Sequence, residues 1–389
     1  MAVLGIVAEY DPFHNGHLRH LRMAVSSVKP SAVVVALSGP FKQRGEPSLL
    51  SPFSRAACAL AAGADAVLAL PVLWTVRDAE HYALGAVHLL SSLGATHLAF
   101  GAETADLPLL EQAADLLEHP PSPLQDAIRA SLAEGIGYPA ALAKAAGACI
   151  PECGALLDRP NNILAVCYLR AIHRLGLSLI PVVISRSGAY HDVRILPDAP
   201  SASALRDALM RGVWPQVLPA LPPASEKAIR SAFLSGAYPD SKRLDAMLLE
   251  KLRAMNPEQA AALPDCPEGL DRALLNAASR ASSREEIVSM MTSRRYSSAR
   301  ISRLCACALL GITRGQLEHL PLPDSALLLA LKRNPSLTGS WKSSDVRVVS
   351  FSDCLESVGS ADRAAWRIWS LACGLPSSFP FTQKMITGI

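Results

Sequence analysis

Gly5-Ile6-Val7-Ala8-Glu9-Tyr10-Asp11-Pro12-Phe13-His14-Asn15-Gly16-His17-Leu18-Arg19-His20 is the stretch on which the fold turns. The apolar run Ala2 to Ala8 reads as a buried parallel strand. Asp11-Pro12 then makes a turn, because the residue before a proline is pushed out of the helical region. From Leu18 to Val25 the pattern is helical, so His14 and His17, three residues apart, fall on one face of the first turn. That turn has unpaired backbone N–H groups and the positive end of the helix dipole. Two imidazoles there add donors for an anion, and Gly16 lets a ligand approach the backbone closely. A metal pair is the competing reading. The carboxylate weighed for it is Asp11, held in the proline turn, and no cysteine lies nearby to complete a zinc site, so phosphate binding is preferred.

Composition sets the frame. A chain of 389 residues is long enough for two or three domains and a substantial core. Half the residues are hydrophobic and 18% are charged, which places it among globular proteins and not disordered ones. No apolar run reaches the ~18 residues that span a bilayer. The first apolar run has no basic region ahead of it and reads as a strand, so the expected location is the cytoplasm. Nine cysteines without paired C-x-x-C spacing suit buried thiols better than zinc or disulfides. A net charge of +3 does not by itself demand a nucleic acid, and its distribution carries more information.

Working outward, Ser31 to Leu37 is a second strand. It ends in the polar loop Ser38-Gly39-Pro40-Phe41-Lys42-Gln43-Arg44-Gly45-Glu46-Pro47-Ser48. Ligands of open parallel sheets bind beyond the carboxyl ends of the strands, where this loop sits beside the first motif. Arg44 is a candidate fork for phosphate or carboxylate, and Glu46 pins that arginine or serves the substrate. Ala66 to Pro71 and His97 to Phe100 are further strands, with helices at Ser54–Ala62 and Glu80–Leu93. Gly101 lies at a strand end, where backbone can approach a base or ribose. This alternation reads as a doubly wound sheet. Helices fill 109–148. Asn161 and Asn162 then precede an apolar helix, as caps, as readers of adenine or ribose, or as both. After a fifth strand, Leu179 to Ile184, Ser201 and Ser203 open another helix with Arg206 one turn in, a second anion site.

Beyond about residue 215 the prolines 219, 222 and 223 mark a linker, and the pattern becomes helical. Arg294, Arg295, Arg300 and Arg303 fall within ten residues that hold no acid. A solvated helix normally mixes signs, so this run suggests phosphate contacts. Placed on a helix, Arg295, Arg300 and Arg303 share one face. Leu304 to Ile312 is buried. Ala326–Leu331 and Val346–Phe351 are expected to form a small α/β cap.

These segments together resemble one family, the bacterial tRNA(Met) cytidine acetate ligases of the H-x-G-H nucleotidyltransferase superfamily. The matching stretches are GIVAEYDPFHNGH, SGPFKQRGEPS, FGAE, RPNNILAVCYLRAI, ISRSGAYHD, SASALR and SRRYSSARISRLCACALLGI, in that order from residue 5 to 312. Asp11 stands where the family usually has Asn, and Pro40 and Lys42 differ from its usual loop residues. The resemblance implies an α/β fold with a Rossmann-like nucleotidyltransferase domain of parallel sheet over 1–215. A mainly helical domain over 216–389 then binds tRNA through the arginine run.

It also implies that ATP and acetate give acetyl-adenylate and pyrophosphate, and that the acetyl group passes to N4 of the wobble cytidine of elongator tRNA(Met). His14, His17 and Arg206 are the expected catalytic residues. ATP contacts are expected across residues 7–20 and at Gly101, Asn161, Asn162, Arg186, Ser201, Ser203 and Arg206. Phe41, Gln43, Arg44 and Glu46 are expected to form the acetate loop. Mg²⁺ is expected to accompany ATP, with no tightly bound metal. Two alternatives stand beside this reading: a small-molecule adenylyltransferase of the same fold, and an RNA-binding protein with a relic nucleotide pocket.

Overall fold

The five expected strands are β1 (Val3–Ala8), β2 (Ala32–Ser38), β3 (Ala66–Leu70), β4 (His97–Ala102) and β5 (Ile180–Ser185). All pair in parallel, in the order β5-β4-β1-β2-β3. β2 and β3 are buried along their whole length, which explains their unbroken apolar runs. The helices Asn15–Val28, Pro52–Ala62, Ala79–Ser92 and Pro160–Arg174 stand among the crossovers. The chain moves from β1 through β2 to β3, then returns to the far side of β1 for β4 and β5. The crevice beyond the carboxyl ends of β1 and β4 is therefore the topological switch point, where ligands of such sheets bind. This architecture comes from a computed structural model that describes residues 1–186, 195–198, 200–267, 269–332, 334–350 and 358–387. Ser187–Asp192 of the ISRSGAYHD segment, and Phe351, lie outside the described residues.

The expected small cap is corrected. β6 (Ser325–Leu331) returns to the main sheet antiparallel to β3, and β7 (Arg347–Val349) and β8 (Ile386–Thr387) pair in parallel with β6. The physical reason is the edge of β3, whose unpaired backbone needs covering. Leu327, Leu328, Leu329 and Ala330 are all buried, so this run had to lie between two covered faces.

In the helical part, the helices Ser241–Ala254, Leu270–Arg280, Arg284–Met291 and Ser298–Leu310 share one apolar core. Phe41 and Val72, from the first half of the chain, belong to that same core. Trp369 Nε1, on the helix Ser360–Ala372, donates to the Ser48 carbonyl at 2.8 Å. The loop after β2 is thus held from both sides. Among the described residues, no helix is long and apolar enough to cross a membrane.

Candidate active site

His14 is the N-cap of the first helix, with extended backbone, and His17 is its third residue. Each ring accepts from the other's backbone: His17 N–H to His14 Nδ1 at 3.4 Å, and His14 N–H to His17 Nδ1 at 3.3 Å. This is a capping box built from imidazoles. With both Nδ1 atoms accepting, each Nε2 carries the proton, so both rings are donors without being cations. The rings stack at 3.7 Å between centroids. A Cβ on Gly16 would lie 3.0 Å from the His14 ring, so any larger residue there would push the ring from its place by a few tenths of an ångström.

Burial pushes the His14 ring down to about 3, helped by Arg186 and Arg206. Burial, His14, Arg186 and His20 hold His17 well below the usual imidazole range. His20 is pushed down to about 4 by burial and Arg186. Tyr10 packs edge-on against His17 at 5.0 Å and against Phe13 at 4.7 Å. Among the described residues, the Tyr10 hydroxyl and His20 Nε2 are buried with no partner, the kind of orphan that a ligand satisfies.

Below this pair lies a charge cluster. Asp11 is 1% exposed, and its Oδ1 accepts from Leu49 N–H at 2.7 Å. Its Oδ2 is 3.1 Å from Lys42 Nζ and 3.7 Å from Arg206 Nη1. Lys42 also reaches Glu46 at 2.8 Å, and Arg206 reaches Glu46 at 3.5 Å. Burial alone would raise the Asp11 carboxyl, but Lys42, Arg206 and Arg55 outweigh it and hold it below its ordinary value. Lys42, ahead of the opposing cost of burial, holds Glu46 down at about 2, with help from Arg206. Arg206 Nη1 donates to the Asp11 carbonyl at 2.6 Å, which brings the Ser201–Arg206 segment onto the first motif. Ser201 caps its helix, and its Oγ lies 2.7 Å from Ser203 Oγ. Asn15 ties the same region together, donating to the carbonyls of Pro197 and Pro219.

At the end of β4, Glu103 replaces the expected asparagine cap. The helix starts at Pro160, and Glu103 accepts from the backbone N–H groups of Asn161 and Asn162. A carboxylate at a helix N-terminus is favoured by the dipole. Asn162 is wholly buried, with its amide on Thr104 and Leu156, so it holds the helix and is closed to solvent. Asn161 sits at the surface of the site, donating to Glu103 and accepting from Arg186 at 2.7 Å. The Arg186 stem crosses Gly101, where a Cβ would meet its Cγ at 2.9 Å.

Other expected residues are placed differently. Phe41 is 1% exposed inside the helical core, so its ring is a packing residue and does not line an open loop. Gln43 N–H donates to Glu9 Oε1 at 2.8 Å, and its amide donates to the Arg77 carbonyl. The Arg44 carbonyl accepts from Ser302 Oγ at 2.6 Å, which seats the loop on the Ser298–Leu310 helix. Arg294 and Arg295 precede that helix, so the expected single face is corrected: only Arg300 and Arg303 lie on it. Arg295 and Arg300 flank the Tyr296 ring at 5.6 and 5.2 Å.

Sequence reasoning missed Arg55. It is fully buried, and its guanidinium donates to the carbonyls of Glu9, Gly39 and Leu50. Its guanidinium links the backbones of the two strand-end loops from below. A lone charge in Pro-Phe-Ser-Arg-Ala-Ala-Cys-Ala-Leu-Ala-Ala was the signal available.

The HIGH Nucleotidyl Transferase family model matches residues 1–349. A tRNA(Met) cytidine acetate ligase from Syntrophomonas wolfei is 36% identical over 326 residues, covering 82% of this chain and 78% of that protein. The protein of the same name from Alkaliphilus metalliredigens is 34% identical over 328 residues, covering 80% and 77%. Thermotoga maritima TmcAL, in its apo crystal form I, aligns with a TM-score of 0.92 at 26% identity, over 100% of this chain and 99% of that one. Its form II, bound with alpha-thio ATP, aligns at 0.89 with the same identity and coverage.

Proposed function

This chain belongs to the tRNA(Met) cytidine acetate ligases of the HIGH nucleotidyl transferase family, and on that premise we propose what its strand-end site does. ATP is the substrate of the site. An acetate oxygen attacks the α-phosphorus, the bond to the β-phosphate oxygen breaks, and pyrophosphate leaves. The N4 amine of the wobble cytidine of elongator tRNA(Met) then attacks the acetyl carbonyl, loses a proton, and releases AMP. The products are N4-acetylcytidine, AMP and pyrophosphate.

The observation that carries this reading is the His14–His17 pair, whose Nδ1 atoms are both committed to backbone N–H groups. Charge builds on phosphorus and on the leaving group, and fixed neutral donors meet it without reorganisation. Arg206 is proposed to meet the pyrophosphate, with Ser201 and Ser203 beside it. Arg186, Asn161 and Gly101 are proposed for the adenosine end. Glu46 and Lys42 are proposed to bound the acetate position. Both nucleophiles are substrates, so no protein nucleophile is needed.

Among the described residues, no group of three or more His, Cys, Asp and Glu side chains could hold a metal. Asp11 and Glu46 are committed to Lys42 and Arg206. These residues do not form a resident Mg²⁺ site, and Mg²⁺ is proposed to arrive on the ATP phosphates. We assign adenylation to residues 1–215 and tRNA contacts to residues 216–389, through Arg294, Arg295, Arg300 and Arg303.

The test is ATP–pyrophosphate exchange by the protein without RNA. The expected result is exchange that requires acetate. Exchange that ignores acetate, or none at all, contradicts acetyl-adenylate formation.

A further inference from the structure

A cavity of about 310 Å³ lies beside the loop after β2, and the adenylation chemistry leaves it unused. Its volume falls at the lower end of small-ligand pockets. Two distant parts of the chain form it. Arg77 and Asp78 come from just before the Ala79–Ser92 helix, while Asp265, Arg303 and Arg314 come from the C-terminal half. Among the described residues, Arg303 Nε is buried there without a partner. Most buried donors are paired, so this one marks a place where a ligand atom is expected.

The lining is mixed in polarity. The guanidinium groups of Arg77, Arg303 and Arg314 are matched by the carboxylates of Asp78, Asp265 and Glu318. Asp78 is held by His81 at 2.7 Å, and Glu318 lies 3.6 Å from Arg314. Leu317 supplies the accessible apolar face, with Leu304 buried behind it. A bare polyanion such as pyrophosphate would be repelled by the acids and would not use the apolar face. An unstacked nucleotide fits better, because a base edge offers both donors and acceptors, its face is apolar, and its phosphate suits arginine.

The cavity is wired to the adenylating loop. The Arg77 carbonyl accepts from Gln43 Nε2 at 2.5 Å, and Gln43 N–H donates to Glu9 at the end of β1. Gly45 of that loop lies so close to the Arg303 backbone that a Cβ would sit 2.9 Å from its Cα. Tyr296, bracketed by Arg295 and Arg300, precedes Arg303 on the same stretch of chain.

We propose that this cavity takes one unstacked nucleotide of the RNA, a neighbour of the cytidine that is acetylated. Its base rests against Leu317 and its phosphate on Arg303 and Arg314. The inference rests on tRNA being the acetyl acceptor. Seating the neighbour draws the target cytidine toward the loop after β2.

The test uses the full chain with Leu317→Trp, which narrows the cavity. A second variant, Arg314→Ala, lies at the exposed rim and covers the case in which the tryptophan disturbs folding. Binding is measured for tRNA(Met), for its anticodon stem-loop, and for stem-loops with an abasic residue on either side of the target cytidine. An abasic residue at one of these positions is expected to weaken wild-type binding about tenfold, the scale of one stacked base. It should add little to the loss already caused by Leu317→Trp, because the two changes remove the same interaction. Arg314→Ala should flatten the log–log salt slope by about 0.7, as for one single-strand phosphate.

Wild-type-like binding by both variants overturns the proposal. So does an abasic penalty of equal size in wild type and Leu317→Trp. Acetyl-adenylate formation by the wild-type protein is followed in parallel. Its absence overturns the function on which the site rests, whereas its presence with wild-type-like binding by both variants overturns the site alone.

Discussion

His14 and His17 are donors that never need a proton from solvent, and that distinguishes them from a basic phosphate clamp. If the pair stabilises the adenylation transition state, His17→Ala should lower acetate-dependent pyrophosphate release by ~10²–10³-fold, the scale of one lost oxyanion donor. ATP affinity should fall much less. Equal losses in binding and turnover would mean that the ring binds ground and transition states alike. Neutral burial also has a cost in acid. His14 and His20 stay unprotonated down to about 3 and about 4, whereas unfolded imidazoles take up protons near ~6.5. Between those values the unfolded chain binds more protons, so stability rises with pH, is complete above about 6.5, and is lost as pH falls. Each such ring contributes up to about 1.4 kcal/mol per pH unit in that window. Urea titrations of the ligand-free protein between about pH 6.5 and about pH 4 should show a shallower slope for His14→Asn than for wild type. Equal slopes would contradict a neutral buried His14.

The loop after β2 is seated on the Ser298–Leu310 helix, and Gly45 shows how closely. Its φ is +78°, and a Cβ there would lie 2.8 Å from the Ser302 carbonyl. Gly45→Ala should therefore cost at least the ~1–2 kcal/mol of a left-handed non-glycine residue, read as a lowered melting temperature. It should also raise the KM for acetate, since the loop must lift off the Ser298–Leu310 helix. An unchanged KM would place the acetate position elsewhere. Much of this was legible from the chain alone. The five parallel strands announce themselves as unbroken apolar runs, and His14–Gly16–His17 marks the first helix because it supplies its own caps. Long-range partners were not legible. Nothing near Asn161 shows that Glu103, nearly sixty residues earlier, caps its helix. Nothing in the Leu-rich run 326–331 says that its partner is β3. Phe41 reads as a loop aromatic until the C-terminal helices close over it.

At the scale of the whole molecule, Phe41 and Val72 of the first half share a core with the C-terminal helices. Phe41→Ala should cost about 3–5 kcal/mol, the range for a buried aromatic, and should lower the single melting transition of the whole chain. Two separate transitions would show that the halves unfold independently. Arg295 and Arg300, placed around Tyr296 on the outer side of that shared core, are proposed to meet RNA. Replacing both with Ala should raise the KM for tRNA more than the KM for ATP. It should also flatten the salt dependence by about 0.7–0.9 for each phosphate no longer neutralised. A salt slope equal to that of wild type would make them an ordinary solvated surface. The central claim is that acetate oxygen attacks the α-phosphorus at the β1–β4 crevice. Acetate carrying heavy oxygen in its carboxylate tests this directly when the protein turns over with ATP and tRNA(Met). The account predicts one heavy oxygen in each AMP formed and none in pyrophosphate. Label in inorganic phosphate with ADP as co-product, or AMP free of label, would contradict it.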